Sequence, residues 1–124
     1  MHKELIELIE QYKSAAILFG EAIASPNNKK LVRNANKIKR LIVSLRLKGE
    51  EGHQALVSLL DHEDIYIKHA ASLNLLKNDT DKAIEVVKQI VDSNNALSGY
   101  AEMTLDVGPD GIEDDFLFWR FVII

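Results

Sequence analysis

Ala55-Leu56-Val57-Ser58-Leu59-Leu60-Asp61-His62-Glu63-Asp64-Ile65-Tyr66-Ile67-Lys68-His69-Ala70-Ala71 is the stretch on which the fold turns. A leucine-rich segment runs into a short acidic turn, and a second apolar segment opens with Ile67 and the pair Ala70-Ala71. The pattern predicts one helix near 51–61 and another near 64–77. Sliding the chain by thirty residues repeats it: Leu56 meets Val86, Val57 meets Val87, Leu60 meets Ile90, Ile67 meets Leu97 and Ala71 meets Ala101. Leu73 meets Met103, Leu75 meets Leu105, and Asp64 meets Asn94 in the turn. Such self-similarity marks helix pairs that stack because neither can bury its apolar face alone.

The second copy predicts helices near 80–92 and 95–106. Asp79 or Thr80, and Ser93 or Asn94, are the N-caps, their side-chain oxygens accepting orphan backbone donors. Upstream, Leu5, Ile9, Tyr12, Ala16, Phe19 and Ile23 lay one apolar stripe on a long helix. Ser25-Pro26-Asn27-Asn28 ends it, because proline cannot continue the hydrogen-bond ladder and asparagine caps the next helix. Leu31, Ala35, Ile38, Ile42 and Leu45 form a second stripe that stops near Lys48-Gly49. A short turn between two long helices makes 1–48 an antiparallel hairpin. Gly108-Pro109 and Asp110-Gly111 break the helical run. The organisation is one domain: hairpin 1–48, two helix pairs over 50–107, and a tail, 108–124.

The segment 55–71 resembles a HEAT-type repeat. Asp64 matches that family's turn aspartate, Ile67 its aliphatic residue, Lys68 its basic residue and Ala70-Ala71 its close-packing pair. The second copy departs from the pattern, with Asn94 for the aspartate, Ser98 for the basic residue and Tyr100 for the first alanine. Its thirty-residue period is also shorter than the usual repeat. The resemblance covers about 50–107, and the whole chain is similar to short bacterial HEAT-like domains whose function is not established. It implies an all-α, right-handed solenoid of about three antiparallel helix pairs, a scaffold that binds protein or, less often, nucleic acid; it implies no chemistry.

Composition narrows the function classes. At 124 residues, 47% apolar and 27% charged, the chain is an ordinary globular domain, not a disordered one. It has no cysteine, which removes disulfides, thiolate metal sites and cysteine nucleophiles together. No apolar run is long enough for a membrane span, and the charged start Met1-His2-Lys3-Glu4 does not suit a signal peptide, so a cytoplasmic address is expected. There is no phosphate-cradling glycine loop, no Gly-x-Ser-x-Gly elbow and no His-Glu-x-x-His. His62 and His69 are seven apart, but His62 lies in the turn, and Asp61, His62 and Asp64 lack a spacing that forms a metal cage. The reading is a non-enzymatic protein without metal or cofactor.

Charge is placed unevenly. Residues 1–48 carry ten Lys/Arg and four Asp/Glu, a net +6, while residues 49–124 carry five and fifteen, a net −10. Lys29, Lys30, Arg33, Lys37, Arg40 and Lys48 fall within about 100° of arc opposite the second apolar stripe, along about 28 Å of helix. This face suits an acidic protein; nucleic acid is the alternative, although no aromatic residue interleaves to stack on bases. Acids at Glu50, Glu51, Asp61, Glu63, Asp64, Asp79 and Asp81 gather near helix ends, where they offset the macrodipole or face a basic partner such as a nuclease toxin. Asn74 and Thr104 occupy equivalent positions on the buried stripe. A buried amide needs a partner, and a neighbouring backbone carbonyl is expected for Asn74.

The tail 116–124 is apolar on both alternate faces and holds Phe116, Phe118, Trp119 and Phe121, half of the chain's aromatic residues. Either it caps the last helix pair, or it docks a second copy or another protein through Phe118, Trp119 and Phe121. Together these features predict a protein-binding module, in one form a toxin-neutralising or immunity-type protein of a bacterial cell. Dimerisation through the tail and head-to-tail self-association are both open, and no membrane partner is expected.

Overall fold

In the computed structural model, which describes residues 2–77 and 79–107, six helices follow one another: α1 (His2–Ala24), α2 (Asn28–Leu47), α3 (Glu50–Ser58), α4 (Ile65–Leu75), α5 (Thr80–Asp92) and α6 (Ser98–Val107). A short 3-10 turn, Leu59–Asp61, follows α3. Local chemistry explains the boundaries. Asn27 caps α2, its side-chain oxygen accepting the Lys30 backbone N–H at 3.1 Å. The α2–α3 corner is turned by Gly49 at φ +65°, a left-handed conformation that a side chain would strain. Asp64, the turn acid of the deciding stretch, caps α4 by accepting from the backbone N–H groups of Tyr66 (2.8 Å) and Ile67 (3.3 Å).

One predicted start differs. α6 begins at Ser98, not near 95, because the asparagines form a turn of their own. Asn94 is left-handed (φ 51°), Asn95 Oδ1 accepts the Leu97 N–H, and the Asn95 N–H donates to Ser98 Oγ, both at 2.8 Å. Asparagine tolerates that conformation and competes with the helix for its own backbone donors.

α1 and α2 form the expected antiparallel hairpin, pinned at its two ends by Lys30–Glu21 (2.9 Å) and Lys48–Glu4 (2.6 Å). α2 also packs on α3, and α5 packs on α6. α4 is the hub, lying against α1, α3 and α5. It is buried all round: Ile67, His69, Ala70, Ala71, Ser72, Leu73, Asn74 and Leu75 are all inside. Its stripe was legible, but the burial of His69 on its other side was not.

Small residues let the layers approach. Ala15, Ala16 and Ala22 line the core side of α1, and Gly20 lies so close that a Cβ there would run into the Tyr66 ring. A Cβ at Gly52 on α3 would run into the Leu45 backbone carbonyl of α2. Asn74 does find a partner: the Tyr12 hydroxyl of α1 donates to its Oδ1 at 2.5 Å, joining α1 to α4. Thr104 donates to the Tyr100 carbonyl one turn back (3.0 Å). The predicted C-terminal cap, with Phe118, Trp119 and Phe121, lies outside the described residues. Among the described residues no helix is long and apolar enough to cross a membrane.

Candidate functional site

The outer face of α2 is set by its inner one. Leu31, Ala35, Ile38, Leu41, Ile42 and Leu45 are buried, so the residues about half a turn away must point to solvent. Of the six predicted basic residues, Lys29, Arg33, Lys37 and Arg40 are exposed and make no ion pair with a described residue. Lys30 and Lys48 are half-buried and hold Glu21 and Glu4. The Lys48 ammonium bonded to Glu4 holds that carboxyl below its usual range. The predicted set thus divides into four cations directed outward and two that fasten the hairpin.

Two residues of this face escaped the sequence reading. Val43 is 57% exposed and Leu47 is 82% exposed, the largest exposure among the apolar side chains described. At 100° per residue both fall on the side of Lys29 and Arg40, opposite the buried stripe. Their angular position was the available signal. The face therefore presents cations about 6 Å apart along the helix, closer than the ~8 Å screening length at physiological salt, and an apolar step at its carboxyl end. Such a surface attracts an extended anionic partner and offers its apolar atoms somewhere to bury.

The acids gathered near the helix ends are partly engaged within the chain. Asp64 caps α4, Asp61 lies 3.7 Å from Lys82, and Asp79 Oδ2 lies 3.0 Å from His53 Nε2, close enough for an ion pair but not aligned as a hydrogen bond. His53 stands at a crevice of about 170 Å³ between α2, α3 and α4, walled by Ile42, Leu45, Leu56 and Leu75, with Asn74 also on its wall. Among the described residues, no group of three His, Asp or Glu side chains is placed to hold a metal ion.

His69 is the most perturbed group described. It is fully buried, neither ring nitrogen has a hydrogen-bond partner among the described residues, and burial pushes it down to about 4. Its ring stands edge-on to Tyr100, centroids 5.4 Å apart, and Tyr100 stands edge-on to Phe19 at 6.3 Å. A neutral imidazole buried edge-on to an aromatic ring behaves as core, not as an exposed acid–base group. No protein-family model matches the chain, and no curated protein and no solved structure matches it.

Proposed function

We propose that the chain is a short HEAT-like α-solenoid that binds another protein, without catalysis, through the outer face of α2. The observation that carries this reading is the exposure of Val43 and Leu47 beside the outward cations Lys29, Arg33, Lys37 and Arg40. A face that only tracks phosphates gains nothing from exposed apolar side chains, whereas protein interfaces combine an apolar centre with a charged rim. Support for the solenoid comes from Asp64 acting as the turn cap and from the matched burial of Ile67 with Leu97, Ala71 with Ala101 and Asn74 with Thr104. Neutralising a toxin is one task such a surface would serve in a bacterial cell.

The experiment is affinity capture from the source organism's lysate, before and after nuclease treatment, with the wild type and with R33E/K37E/R40E. A protein retained by the wild type after nuclease treatment and lost by the variant supports the proposal. Retention by both chains, or recovery of nucleic acid alone, overturns it. The substituted residues are exposed, so the variant's melting temperature is expected within about 2 °C of the wild type.

A further inference from the structure

Four acids precede three aromatic residues in the sequence Asp110-Gly111-Ile112-Glu113-Asp114-Asp115-Phe116-Leu117-Phe118-Trp119. On the outer face of α2, four outward cations precede two exposed apolar side chains in the same chain direction. We propose that the outer face of α2 docks residues 110–119 of a second copy of the chain, so that copies associate head to tail. The inference rests on that face being a binding surface, as proposed above.

The lengths agree. Lys29 to Arg40 is about 16 Å along a helix, and Asp110 to Asp115 is about 17 Å when extended. Arg40 to Leu47 adds about 10 Å, and so does Asp115 to Phe118. Laid parallel to α2 and extended, the segment would turn alternate residues to it, Asp110 over Lys29, Asp114 over Lys37, and the rings of Phe116 and Phe118 over Val43 and Leu47. Burying those rings removes apolar surface from water on both sides, while the acids fix the register.

Reach selects a second copy over the same one. α6 meets α1 where Tyr100 stands on Phe19, and α2 covers α1 with its buried stripe, so its cations point away from both. From Val107 to that face is two helix layers, about 20 Å at 8–10 Å per layer, whereas the three residues to Asp110 span about 10 Å. The +6 and −10 halves of the chain favour the same head-to-tail arrangement at longer range. Because face and segment are different stretches of the chain, each added copy still offers one of each, and association continues unless a ring closes.

Light scattering after size exclusion tests this with two neutralised variants of the full chain, R33Q/K37Q/R40Q and E113Q/D114N/D115N. The wild type should rise above its 14.0 kDa with concentration in 50 mM salt and fall back toward it in 500 mM. Each variant alone should remain a monomer. Their equimolar mixture should stop at a dimer, since one intact segment then meets one intact face. A monomeric wild type, association by either variant alone, or a mixture that stays monomeric overturns the inference. If the wild type is monomeric yet captures another protein that R33E/K37E/R40E loses, this inference fails and the binding role of the face stands.

Discussion

His69 makes the fold sensitive to acid. Unfolded, its imidazole takes up a proton near 6.5; folded, it does so only near 4, because burial without a partner opposes the charge. Between those values the unfolded chain binds the extra proton. Stability is therefore intact above about pH 6.5, falls as pH drops through the window, and levels off below about 4, a loss of about 3 kcal/mol in all. Urea unfolding at pH 7 and pH 4.5 measures it, and His69→Leu should flatten the dependence; parallel curves for the two proteins would sink the assignment. The Tyr12–Asn74 bond makes a second prediction at this scale. Tyr12→Phe removes a donor from a buried amide oxygen and should cost about 1–3 kcal/mol in the same measurement. The sequence showed that Asn74 would be buried and need a partner. It did not show Tyr12, because a contact across 62 residues leaves no trace in local spacing.

Among the elements, α2 was the most legible and α4 the least. An amphipathic stripe identifies itself when one side is wet, so both faces of α2 could be drawn from the 100° rule alone. On α4 apolar and small residues surround the axis, and periodicity has nothing to contrast. The start of α6 was missed because Asn94 and Asn95 are equally good as caps and as turn residues, and here the turn prevails. Gly52 is an element-scale feature: its missing Cβ lets α3 cross α2 at the Leu45 carbonyl. Gly52→Ala gains about 1 kcal/mol of helix propensity but forces backbone apart, and a net loss of about 2 kcal/mol is expected by thermal melting. A neutral or stabilising result would show that α3 can slide on α2.

Across the whole molecule, the contact pattern sets the order in which parts open. α4 touches three helices, whereas α6 rests mainly on α5. Amide hydrogen exchange followed by mass spectrometry should therefore find α4 the most protected helix and α6 among the first to exchange; equal protection in the two would contradict this layout. That six helices would form was plain in the sequence. That α1, and not only the nearer α3, would flank α4 was not, because spacing defines faces without saying which faces meet.

The long hairpin has one more consequence. Among the described side chains of α1 the first fully buried one is Tyr12, and from Lys3 to Tyr12 is about 14 Å of helix. That amino-terminal length is seated by Leu5, Leu8 and Ile9, fastened near its start by Lys48–Glu4, and runs beside Leu47 at the carboxyl end of α2. A fluorophore, affinity tag or fused domain joined there stands away from Lys29 and Arg33 but next to Leu47, so a bulky attachment leaves the cations open and crowds the apolar step of the face.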